Sequence, residues 1–128
     1  MKKVFLVFLL SFSLSFAQGL KHVRDILNFT EEIVSSLPSD KKLENIKNLS
    51  LRPKTIVIFK TFLLTIKDKE VIGYTKFHEK EIYNLLFKVS YIIKFKKGIS
   101  LVVFYFYKPK EEWYLYDFSF ENDVKSFF

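Results

Sequence analysis

The sequence predicts an α+β domain in which N-terminal helices pack on a curved antiparallel β-sheet. Three observations predict it. From Leu20 to Leu37 the apolar residues recur in steps of three and four, the spacing of a helix with one apolar stripe. From Tyr83 to Phe95 the spacing changes to period two, so one face of a strand is apolar and the other mixed. Lys97-Gly98 then supplies a hairpin turn into a second apolar run. Helices first and hairpin-linked strands afterwards is α+β organisation.

The chain opens on Met1-Lys2-Lys3, an uncharged apolar run from Val4 to Phe16, and small residues at Ser15 and Ala17. A basic start, a short apolar stretch and a small-residue cleavage site form a secretory signal, here residues 1–17. The run is shorter than the ~18 residues of a spanning helix. An uncleaved anchor is the alternative, because the uncharged stretch continues through Gln18, Gly19 and Leu20. With no cysteine in the chain, a lipid-anchored lipoprotein is excluded. The expected protein is exported, periplasmic or secreted, with no integral membrane domain once the signal is removed. Residues 18–128 then form a single domain, enough chain for one core and too little for two.

Removing Lys2 and Lys3 lowers the net charge from +7 to +5, which favours solubility and gives weak attraction to anionic surfaces. The lysines are scattered, so the basic footprint of a nucleic-acid binder is absent. Without disulfides, stability has to come from packing. All seven tyrosines, the tryptophan and twelve of the sixteen phenylalanines survive processing, and each large side chain contributes roughly 1.5–3 kcal/mol when buried.

Within the domain, Leu20, Val23, Ile26, Leu27, Phe29, Ile33, Val34 and Leu37 mark the first helix, which Pro38 ends. Ser39 or Asp40 caps a short second helix carrying Leu43, Ile46 and Leu49. Residues 53–67 read as a helix because Pro53 suits a first turn and Ile56, Phe59, Phe62, Leu63 and Ile66 keep helical spacing. The β-branched run Thr55 to Ile58 argues instead for a strand. A short strand around Val71 to Phe77 pairs at one end of the sheet. The long strand carries Tyr83, Leu85, Phe87, Val89, Tyr91, Ile93 and Phe95 on its apolar face. Ile99 to Tyr107, apolar at nearly every residue, is a central strand. Lys108 to Glu111 turn the chain into Trp113 to Phe120, with Tyr114, Tyr116, Phe118 and Phe120 on one face.

The segment from Val71 to Asp123 resembles the cone-shaped superfamily of nuclear transport factor two and ketosteroid isomerase, especially its small exported bacterial members. The residues that carry the resemblance are Gly73-Tyr74, Tyr91, Phe95, Phe106-Tyr107-Lys108-Pro109, Trp113, Leu115, Phe118 and Phe120. It implies helices filling the concave side of a bent sheet, a pocket at the cone's open end, and dimerisation through the sheet face. No catalytic motif of the superfamily's enzymes aligns with this chain.

The chemistry on offer is sparse. His22 and His78 stand alone, no cysteine completes a zinc or copper set, and Glu121-Asn122-Asp123 lacks the length and glycine of a calcium loop. No metal or other cofactor is therefore expected. There is no Gly-x-Ser-x-Gly elbow and no glycine-rich phosphate cradle. Acid–base work is the open catalytic option: Asp117 interrupts an aromatic strand, and His78 stands near Glu79 and Glu81. The parity of Asp117 with Ser119 and Glu121 favours an outward, solvated position. Lys88, Lys94, Lys96 and Lys97 form a basic stripe, either a contact for anionic lipid or an acidic partner, or a guard against edge-to-edge aggregation.

Leu86, Ile92, Phe104 and Phe106 leave more apolar area than one core needs, and such area marks an interface. Tyr105, Tyr107, Trp113 and Tyr116 are the candidate ligand or partner face. The sequence thus reads as an exported, non-enzymatic domain that binds an apolar small molecule or an envelope protein. The alternatives are a small acid–base enzyme using Asp117 and a structural envelope homodimer.

Overall fold

Residues 19–122 are described in the computed structural model; the signal segment and Asp123 lie outside the described residues. Three helices, α1 (Val23–Ser36), α2 (Leu43–Leu49) and α3 (Pro53–Ile66), precede four strands, β1 (Val71–Ile82), β2 (Leu86–Phe95), β3 (Gly98–Tyr107) and β4 (Tyr114–Glu121). The strands form one open antiparallel sheet in the order β1-β2-β3-β4.

The α1 stripe forms as its spacing dictates, burying Ile26, Thr30, Ile33 and Val34. The backbone N–H of His22 donates to Asp25 Oδ2 at 3.1 Å, satisfying one of the free donors at the helix start. The cap of α2 differs from expectation: neither Ser39 nor Asp40 stands at the N-cap, which is Lys42, with no side-chain cap bond. Ser39 Oγ instead accepts the N–H of Lys41, closing a tight turn one step earlier. For residues 53–67 the helix prevails over the strand, with Pro53 in the first turn. The β-branched Thr55 is wholly buried, and its hydroxyl donates to the Tyr116 carbonyl at 2.9 Å, so tertiary contact overrides its propensity.

One sheet face packs against the helices. Phe87, Val89, Tyr91, Ile93 and Phe95 of β2 are buried there, beside Val102, Phe104 and Phe106 of β3. Phe104 and Phe106 are therefore core residues and not surplus apolar area. Rings fill the interior: Phe118 meets Phe59, Phe104 and Phe62 at centroid distances of 5.1, 5.1 and 5.6 Å.

Three expectations about the strands are corrected. The first strand is twelve residues long rather than a short end piece, and it pairs with β2 from Val71 to Ile82. Tyr83 is not on the core face: with Asn84 it takes positive φ (52° and 53°) in the turn between β1 and β2, and it is 95% exposed. Asn tolerates that conformation and Tyr does so at a cost, so period-two spacing runs one turn past the strand. On β4 the alternation breaks at a register shift, where Tyr105 pairs with Asp117 but Phe106 pairs with Leu115. The extra residue puts Leu115 and Phe118 in the core and leaves Tyr116 40% exposed.

The two sheet edges are treated differently. On the β4 edge, Leu20 exchanges backbone bonds with Trp113, and Leu51 N–H donates to the Leu115 carbonyl. Gly19 is needed for that approach, since a Cβ there would sit 2.7 Å from the Trp113 carbonyl oxygen. On the β1 edge, register shifts at Val71/Gly73 and Lys76/His78 and the charges of Lys76, Glu79, Lys80 and Glu81 discourage strand addition.

Tyr91 is 2% exposed, and its hydroxyl shares a 2.7 Å bond with Thr30 Oγ1. Burial pushes its pKa above the ordinary tyrosine value of about 10; the Thr30 bond works the other way, and the Glu31 charge adds to the rise. The folded state thus holds the proton more tightly than the unfolded chain. Stability from this group is full below about pH 10 and is lost as pH rises through the folded value. Urea midpoints should fall above that pH, and Tyr91→Phe should fall less steeply than the parent. Parallel declines would remove Tyr91 as a cause.

Candidate functional site: the uncovered face of the sheet

All three described helices lie on one side of the sheet, and among the described residues no helix covers the other side. Its side chains follow from strand parity and register. Across the sheet run Ile82, Leu86, Tyr107 and Tyr114; then Lys80, Lys88, Tyr105 and Asp117; then His78, Ser90, Val103 and Ser119; then Thr75, Ile92, Leu101 and Glu121. Lys94 pairs with Ile99 at the far end. Ile92, Ile99, Leu101, Tyr105 and Tyr107 are half-buried, and Ser90 and Val103 between them are buried. The centre of the face is thus apolar, with charge toward its margins.

Three of the candidate face residues meet here. Tyr105 and Tyr107 project from β3, and the Tyr116 ring lies edge-on to Tyr107 at 5.9 Å. Trp113 does not join them. It is 1% exposed and packs edge-on against Phe87 in the core at 6.3 Å, because it precedes β4 on the opposite parity from Tyr114. The basic stripe is divided as well. Lys88 and Lys94 stand on the open face, while Lys96 and Lys97 occupy the turn between β2 and β3, which Gly98 closes at φ 144°.

Asp117 reaches the open face, but not as a carboxylate lodged among rings. Its Oδ2 lies 3.3 Å from the Arg52 guanidinium, and its Oδ1 accepts the Phe118 N–H at 2.8 Å. Arg52 also stacks over the Tyr116 ring at 4.2 Å and donates to the Tyr116 carbonyl. This clasp ties the start of α3 to the β4 bulge. His78 sits on β1 opposite Ser90, three strands from Asp117. At the usual spacing between strands the two are separated by roughly 14 Å, too far to share a proton. The structure does not bring the two acid–base candidates together.

Two residues that the sequence does not single out belong to this face. Lys80 stands in register with Lys88, and among the described residues neither forms an ion pair. Arg52 reaches Asp117 from the far side of the sequence, a pairing that no local pattern signals. Among the described residues no helix is long and apolar enough to cross a membrane. Compared with known proteins, the chain matches no family model, no curated protein and no solved structure.

Proposed function

We propose that this chain is an exported, non-enzymatic interaction domain whose uncovered sheet face binds a second copy of itself. The observation that carries the reading is the half-buried apolar centre of that face, Ile92, Leu101, Tyr105 and Tyr107, with every described helix on the other side. Apolar area of this kind is removed from water by a partner. Charge placement favours a copy of the same chain. A two-fold axis lying between the faces and parallel to the strands sets β1 of one copy over β4 of the other, and β2 over β3. In that arrangement Lys80 meets the partner's Asp117 and Ile92 meets the partner's Leu101, each twice by symmetry. Lys80, which forms no ion pair among the described residues of its own chain, thereby gains an opposite charge across the axis.

Export rests on the basic start and apolar run of residues 1–17. Kinship with the cone-shaped superfamily belongs to the same reading, supported by one-sided helical cover and by the register shifts that bend β1 and β4. The ring-filled interior directs an apolar ligand to the open face rather than to a cavity within. Sedimentation equilibrium on residues 18–128 tests the proposal. The expected mass at micromolar concentration is that of two chains; a single-chain mass at every concentration overturns it.

A further inference from the structure

On the helix side of the sheet, away from the open face, α1 and the first two strands enclose a notch of about 370 Å³. From α1 it takes Arg24, Leu27, Asn28 and Glu31, whose steps of three and four place them on one side of the helix. From the sheet it takes Tyr74, Lys76 and Tyr91. The Tyr74 and Tyr91 rings meet edge to face at 6.1 Å and, with Leu27, make an apolar middle. The two tyrosine hydroxyls are already engaged, Tyr91 with Thr30 and Tyr74 with Glu31 Oε1 at 3.1 Å.

Arg24 and Glu31 stand at opposite ends of the helical side. Lys76 is held by Glu79 at 3.5 Å. Arg24 forms no ion pair among the described residues, which leaves its guanidinium free. Glu31 lies two helical turns away, about 10 Å along the axis at 1.5 Å per residue. A simple anion entering here would meet Glu31, a simple cation would meet Arg24, and a neutral apolar molecule would leave both uncompensated. A molecule with a carboxylate at one end, an ammonium at the other and an apolar middle pairs both Arg24 and Glu31, and the amide of Asn28 can bond a peptide group between them. A free amino acid is too short, because both its charges sit on one carbon. Two or three extended residues span about 7–10 Å, matching the notch once the side chains reach inward.

We propose that this notch binds a short linear zwitterion of the kind a di- or tripeptide presents, its carboxylate on Arg24, its ammonium beside Glu31 and its side chains on Leu27 and the tyrosine rings. The inference does not depend on the sheet-face proposal, since a single-chain protein would keep the notch.

The test titrates the folded chain with dileucine, N-acetyl-dileucine, dileucine amide and free leucine, following the amide resonances of α1 and β1. Dileucine is expected to saturate the notch, and blocking either end should weaken binding about tenfold, the worth of a charged hydrogen bond. Arg24→Gln should weaken dileucine by a similar factor and leave the amide unchanged, while Glu31→Gln should do the converse with the acetylated peptide. Both positions are exposed, and the amide introduced by Glu31→Gln keeps an acceptor for the Tyr74 hydroxyl, so the fold is not at risk. Capped peptides binding as well as free dileucine, free leucine binding equally, indifference to Arg24→Gln, or absence of saturable binding would each overturn the proposal.

Discussion

Phe118→Ala is expected to cost about 3–5 kcal/mol of folding stability, the usual toll of removing a buried ring and leaving a cavity. Phe118 is 1% exposed and touches rings from three elements: Phe59 and Phe62 of α3, Phe104 of β3 and Phe120 of its own strand. Close packing lets few of these neighbours collapse into the gap. A domain of this size has roughly 5–15 kcal/mol in total, so the variant should be partly unfolded at moderate urea. Tyr116→Ala, two positions earlier, should cost about 1 kcal/mol or less, since it loses a half-exposed ring and the Arg52 stacking. Urea midpoints of the two variants against the parent measure the difference. Equal losses would mean that Tyr116 and Phe118 share a face and that the β4 bulge does not exist.

That pair also marks where the sequence stops being legible. Period-two spacing identifies β2 because Phe87 through Phe95 alternate without a break, and their core-side burial follows. The same rule applied to β4 groups Tyr114, Tyr116, Phe118 and Phe120. It cannot see a bulge, since the inserted residue changes parity without changing composition. Tyr83 misleads for a related reason: an aromatic at the right parity says nothing about a backbone that turns at Ile82. The helices are more legible, because Pro53 at the start of α3 and the stripe of α1 are local signals. Arg52, Lys80 and the filling of the interior by rings are tertiary facts. No window of sequence places Arg52 beside Asp117, or Trp113 in the core against Phe87.

Leu101→Glu is expected to weaken self-association about a thousandfold while leaving the folded chain intact. On the single chain Leu101 is half-buried beside Ile92, so a carboxylate there reaches water, and the like charge of Glu121 opposite costs under about 1 kcal/mol. In the two-fold pair it would be buried against the partner's Ile92 without a partner charge. An unsatisfied polar group costs ~1–3 kcal/mol, more when charged, and symmetry counts it twice, so a total of ~4 kcal/mol corresponds to about three decades in affinity. Sedimentation would then show one chain where the parent shows two, and an unchanged mass would take the open face out of the interface. The direction of the axis has its own test. Lys80→Glu puts like charge against the partner's Asp117 at two places and should weaken the pair, and adding Asp117→Lys should restore it. Asp117→Lys would also set a lysine against Arg52, so all variants carry Arg52→Gln, and the partly exposed ion pair lost in this way is of small worth. Restoration requires that Lys80 and Asp117 face one another across the axis. Continued weakening would mean that the faces meet in some other orientation, with β1 not lying over the partner's β4.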